Sequence, residues 1–113
     1  DGQPLTHSKK ILVTAVARCA NTGMKWNEAR TSLADRWGGP PLVIEPVEAT
    51  LKLHRARDGA QLAAFALDGC GVPTGGPIKA DFQKTGDHGV FTMRLNQDGK
   101  TAWYLLRPVG ASR

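Results

Sequence analysis

The clearest signal along the chain is an alternation of apolar and polar residues with a period of two. From Val90 to Asn96, Phe91, Met93 and Leu95 fall on one face, and Val90, Thr92, Arg94 and Asn96 fall on the other. Successive side chains of a strand point to opposite faces, so this spacing predicts a strand with one face in a core. Glu48 to Arg55 repeats the pattern with Ala49, Leu51 and Leu53. Arg57-Asp58-Gly59 then supplies a tight turn before a returning strand over Gln61 to Leu67. Further strands are predicted over Leu42 to Pro46, Ile78 to Thr85 and Thr101 to Arg107, the last stopped by Pro108. Gly86-Asp87-His88-Gly89 and Asn96-Gln97-Asp98-Gly99-Lys100 read as turns, and Asp68 to Pro77 as a glycine- and proline-rich loop. Ile11 to Ala17 (ILVTAVA) is an almost continuous apolar run, which suits a strand covered on both faces. Phe91, Met93, Leu95, Leu51, Leu53, Leu62, Val13 and Phe65 are the expected core.

About seven to eight short strands, with turn signals roughly every 8 to 12 residues, predict an antiparallel all-β sandwich of jelly-roll or immunoglobulin-like type. Residues 1 to 10 look like a lead-in. Cys19 to Pro41 interrupts the strand pattern as one long connection. Within it, Asn27 to Trp37 fits a short helix, capped by Asn27 or Thr31 and ended by Gly38-Gly39. The 113 residues suffice for one domain, here a single module spanning residues 1–113.

Composition changes little in this picture. Hydrophobic residues at 41% and charged residues at 22% are an ordinary globular balance. No apolar run approaches the roughly 20 residues that cross a bilayer, so no membrane partner is expected. The net charge of +5 raises the question of nucleic acid, but the basic residues are scattered. The densest group is His54-Arg55-Ala56-Arg57, whereas a nucleic-acid binder concentrates such charge on one face. That reading ranks last. Cys19 and Cys70 match no metal spacing, and either a disulfide or two reduced thiols fits them. The chain starts at Asp1 with no leader, and we read it as a module of a longer polypeptide that has lost any export signal.

Catalysis finds little support. His7, His54 and His88 lie far apart in sequence and share no ligand spacing, and no nucleophile or phosphate-loop motif occurs. Glu45 and Glu48 can be imagined as a carboxylate pair, but exposed strand-end acids are the plainer reading. No catalytic residue, metal or cofactor is expected. The aromatic residues say more. Trp26 and Trp37 sit in the long polar connection among Asn27, Arg30, Asp35 and Arg36. Indoles stack on the C–H faces of sugars while polar neighbours reach the hydroxyls, so this segment is a candidate sugar platform. It can equally fold back and cap one end of the sandwich. Trp103 and Tyr104 are consecutive on a strand, so one faces inward and the other outward; Tyr104 joins the candidate ligand-binding set.

Ser8 to Leu53, SKKILVTAVARCANTGMKWNEARTSLADRWGGPPLVIEPVEATLKL, resembles the C-terminal β-sandwich found behind the catalytic barrel of certain large bacterial glycoside hydrolases. NTGMKWN followed by WGGPP carries the likeness, with Ala64-Phe65-Ala66-Leu67-Asp68-Gly69 and Thr101 to Leu105 supporting it. The resemblance implies a secreted, non-catalytic accessory domain. Its leading role is a carbohydrate-binding module that holds a parent hydrolase on a plant-type polysaccharide such as a β-glucan. The alternative is a structural companion, with the NTGMKWN segment packed on the catalytic domain of the same polypeptide. On its own, that companion exposes apolar surface around Met24, Trp26 and Trp37.

Overall fold

A computed structural model describes residues 1–97 and 101–110. Among those residues it has eight strands and no helix: β1 (Ile11–Thr14), β2 (Cys19–Thr22), β3 (Gly39–Ile44), β4 (Ala49–Ala56), β5 (Leu62–Ala66), β6 (Ala80–Thr85), β7 (His88–Leu95) and β8 (Trp103–Pro108). Two three-stranded antiparallel sheets, ordered β1-β8-β5 and β4-β7-β6, enclose one core, and β2 pairs only with β3 as a separate ribbon. The expected antiparallel all-β sandwich is what the chain forms.

The core follows the alternation. Ile11, Leu62, Ala64, Tyr104 and Leu106 face inward from the first sheet, and Phe91, Met93 and Leu95 from the second. The register Leu51↔Met93 and Leu53↔Phe91 puts the apolar positions of β4 and β7 on one face. Burying a side chain such as Phe91 or Met93 contributes about 1.5–3 kcal/mol. Val13, Leu51 and Leu53 are only half-buried, because β1 and β4 are edge strands and these residues line the rim of the core. Phe65 is also half-buried; Ala64 takes the inward position, so Phe65 faces outward. Nor is β1 covered on both faces: it ends at Thr14, and Leu12 and Val16 are exposed.

Residues 1–10 are more than a lead-in. The Pro4 carbonyl accepts from the amides of His7 and Ser8, and the Ala56 amide donates to the Thr6 carbonyl. Arg55 follows Leu51 and Leu53 on the inward face of β4 and is 1% exposed. Its guanidinium donates to the carbonyls of Leu5, Ser8 and Ala60, while its Nε has no acceptor and no ion pair forms with it among the described residues. The His54-Arg55-Ala56-Arg57 group is therefore no surface patch, since its second member closes one end of the sandwich. Across the ladder Gly89 faces Arg55, and the Phe82 ring comes within 2.5 Å of where a Cβ at Gly89 would stand. Of the turn expected at Asn96 to Lys100, Asp98, Gly99 and Lys100 lie outside the described residues.

The helix expected over Asn27 to Trp37 is absent. The Asn27 side chain bends a loop around itself instead, its Oδ1 accepting from the amides of Thr31 (2.9 Å) and Ser32 (3.4 Å). The Asn27 amide donates to the Ser32 carbonyl, and Arg30 and Ala34 adopt φ of 56° and 50°. An Asx loop and two left-handed residues are incompatible with a continuing helix.

Candidate functional site

The long connection folds into an arm. Its stem is the ribbon Cys19↔Ile44, Ala20↔Val43, Asn21↔Leu42, which residues 23–38 extend into a looped tip. The Lys25 amide donates to the Arg36 carbonyl, which sets the segments bearing Trp26 and Trp37 side by side. Asn21 Nδ2 donates to the Trp37 carbonyl, and Thr22 Oγ1 to that of Pro41. Gly38 permits the sharp return. Its φ is +70°, and a Cβ there would lie 2.4 Å from the Thr22 carbonyl oxygen. At the root, Arg18 Nε meets Glu45 Oε2 at 2.8 Å and the Glu45 amide donates to the Arg18 carbonyl.

The arm has no core. Between Ile11 and Arg55 not one residue is buried. Leu42, Val43 and Ile44 are 61%, 53% and 46% exposed. Because Leu42 and Ile44 point to one face of the ribbon and Val43 to the other, both faces are apolar and wet. A two-stranded ribbon is at best marginally stable in water by itself. The radius of gyration is 17.8 Å, against about 13 Å for a compact chain of this length. The total surface of 7871 Å² exceeds by about 1,900 Å² that of a compact protein of this mass.

The two sheets differ on their outer faces. Outward positions of the second sheet, Thr50, Lys52, His54, Thr92, Arg94, Asp81 and Gln83, are polar around Val90. The first sheet instead turns Leu12, Leu105 and Phe65 outward in one register row, with Trp103 beside Thr14 in another. A groove of about 280 Å³ joins this face to the arm: Ile44 and Pro46 form one wall, Trp103 and Asp68-Gly69 the other. One apolar side of the molecule thus runs from the sheet onto the arm.

The candidate residues separate into two places. Trp26, Asn27, Arg30, Asp35, Arg36 and Trp37 all lie on the arm tip and are exposed, so the indoles do not cap the sandwich. Arg30 holds its guanidinium 5.8 Å from the Trp26 ring centroid, and Asn27 is occupied in shaping the loop. Tyr104 must be withdrawn from the ligand-binding set. It is 2% exposed, and its hydroxyl donates to Asn96 Oδ1 while accepting from the Asn96 amide. Trp103 is the outward ring of that pair.

Glu45 is engaged with Arg18. His54 and His88, distant in sequence, come together on neighbouring strands with ring centroids 6.3 Å apart. No group of three metal-ligating side chains forms among the described residues. Both cysteine thiols are free and exposed. The aliphatic stem and the apolar outer sheet face went unnoticed in the sequence, although the run Leu42-Val43-Ile44 carries no alternation and so hinted at two covered faces. No protein-family model, curated protein or solved structure matches the chain.

Proposed function

We propose that the chain is a non-catalytic module of a larger polysaccharide-degrading polypeptide, and that the arm is the element by which it binds. The observation that carries this is the exposure of Leu42, Val43 and Ile44 on both ribbon faces, beside the exposed indoles of Trp26 and Trp37. Two partners fit. The first is a protein surface, the catalytic body of the same polypeptide, which would cover both ribbon faces and the groove between Ile44 and Trp103. A surplus of about 1,900 Å² on one chain is the share that one side gives up in a large permanent interface of roughly 2,000–5,000 Å² in total. The second is a polysaccharide, with Trp26 and Trp37 stacking on sugar rings. Its support is the placement of both indoles on one exposed tip among Arg30, Asp35 and Arg36. Sugar stacking accounts for the rings but leaves the aliphatic stem wet, so docking on a protein surface is the better-supported reading.

One experiment separates them. Wild type, Trp26→Ala, Trp37→Ala and Leu42→Ser are titrated with β-glucans, xylans, mannans and galactans, and their binding of an apolar dye is measured. Docking predicts no sugar affinity at the tip and strong dye binding that Leu42→Ser lowers severalfold. The sugar reading predicts a saturable titration that each indole substitution weakens by about 1–3 kcal/mol, by analogy with ring stacking on bases. Gly38→Ala, which cannot hold the return of the arm, should abolish whichever activity is found while the sandwich stays folded. Weak dye binding in wild type, together with no glycan bound, sinks both readings.

A further inference from the structure

A second groove, of about 270 Å³, lies on the outer face of the first sheet beside Leu105. Its walls are apolar, formed by Leu67, Val72, Pro73 and Leu105, and its only charges are Lys10 and Arg107. No acid lines it, and neither cation has an acidic partner among the described residues. Arg107 is held in place: its guanidinium lies 4.2 Å from the centroid of the Phe65 ring, on the outer face of the first sheet. Its Nε and Nη1 are buried without an acceptor, which leaves Nη2 as the nitrogen not so enclosed. A guanidinium held on a ring, with a lysine on the same apolar groove, can take a carboxylate through Nη2 and the ammonium. A free arginine on a sheet surface would instead point its fork into water.

We infer that this groove binds a uronic acid residue, its carboxylate between Lys10 and Arg107 and the C–H face of its ring against Val72 and Leu105. The carboxylate answers the two cations, and the apolar walls answer the ring, which a bare inorganic anion lacks. The size suits one small ring rather than a long ligand, since it falls just below the range of drug-sized sites. The choice of a sugar acid rests on the polysaccharide context proposed above, while the carboxylate chemistry follows from the groove itself. Such a site would direct the module to acidic rather than neutral glycans, with affinity that falls as salt rises.

The test is an NMR titration of the whole chain with methyl glucuronide and methyl galacturonide, using methyl glucoside as the neutral control and acetate as the bare anion. The expected result is saturable shifts at Val72, Leu105 and Arg107 for a uronide, and none for the glucoside. Arg107→Gln should weaken the uronide tenfold or more. Lys10→Glu, at an exposed position away from Phe65, should do so severalfold without touching the fold. Leu42→Ser should leave the titration unchanged, so a failure of the arm as a binding element would not remove this site. Equal response to acetate and uronide would reduce the groove to an adventitious anion site and overturn the proposal. So would equal response to uronide and glucoside, no response at all, or undiminished affinity in both charge variants.

Discussion

Replacing Arg55 with leucine should cost about 3 kcal/mol of folding stability, because carbonyls from two parts of the chain lose their donor together. They are the carbonyls of Leu5, Ser8 and Ala60. The Ser8 carbonyl, whose bond is buried, costs about 1–3 kcal/mol when left unmatched, and the part-buried carbonyls of Leu5 and Ala60 cost less. Leucine cannot return that by packing, since the site is shaped around a planar fork. Burial holds the Arg55 guanidinium below its ordinary pKa, the mark of a cation kept out of water without an anion beside it. Carbonyl oxygens alone stabilise it, so the site depends on their number and placement. Arg55→Lys keeps the charge but offers one compact ammonium for three diverging carbonyls, and should recover less than half of the loss. Thermal unfolding should show a fall of roughly 12 °C or more for the leucine variant, at about 4–8 °C per kcal/mol for a domain near this size. A loss below about 1 kcal/mol would mean that residues 1–10 peel away freely and that Arg55 rehydrates at no cost. In that case the Ala56 amide, bonded to the Thr6 carbonyl, would already exchange rapidly in wild type.

Arg55 also shows where sequence reading stops. Its position in the alternation, two after Leu53, marks it as inward-facing, yet its charge argues for solvent. The conflict is settled by the carbonyls of Ala60 nearby and of Leu5 and Ser8, about 50 residues away, which no local pattern reveals. The strands were legible because their period of two is imposed by the core: β4, β7 and β8 appear within a few residues of where Leu51, Phe91 and Tyr104 require them. β2 was missed because Cys19–Thr22 has no buried face and therefore no alternation. The helix over Asn27 to Trp37 failed for a related reason. Asn27 is a good helix cap, but the same side chain closes an Asx loop when no packed face rewards the helix. Of the candidate site, the exposed indoles were legible from their polar surroundings. The groove at Lys10 and Arg107 was not, because its two cations are 97 residues apart and meet only through the pairing of β1 with β8.

Asn96→Ala should cost about 3 kcal/mol, since one side chain satisfies three buried or half-buried groups that would be orphaned together. Its Nδ2 donates to the Val47 carbonyl at 2.8 Å, and its Oδ1 accepts from the Tyr104 hydroxyl at 2.9 Å and from the Thr101 amide at 2.8 Å. Val47 lies where the arm returns to the body, so this network also ties the arm root to the core. Asn96 has φ of 59°, a left-handed conformation that asparagine tolerates and alanine adopts at about 1–2 kcal/mol. Asn96→Gly removes that strain but not the orphaned groups, so it should recover only the conformational part of the loss. Tyr104 gives the pH signature of the same network. Burial raises its phenol above the ordinary value, with the Asn96 amide pulling the other way as a donor to the oxygen. The folded pKa therefore exceeds the unfolded one, near 10. The corresponding stability is complete below about pH 10 and is lost as pH rises through the folded value. Tyr104→Phe should remove that alkaline loss while itself costing about 1–3 kcal/mol at neutral pH, because the Asn96 amide then lacks its acceptor and Oδ1 keeps only the Thr101 amide. Urea unfolding of wild type, both Asn96 variants and Tyr104→Phe between pH 7 and 11 measures all of this. Alanine and glycine variants of equal stability would rule out the conformational part, and an unchanged alkaline slope in Tyr104→Phe would rule out the phenol as its source.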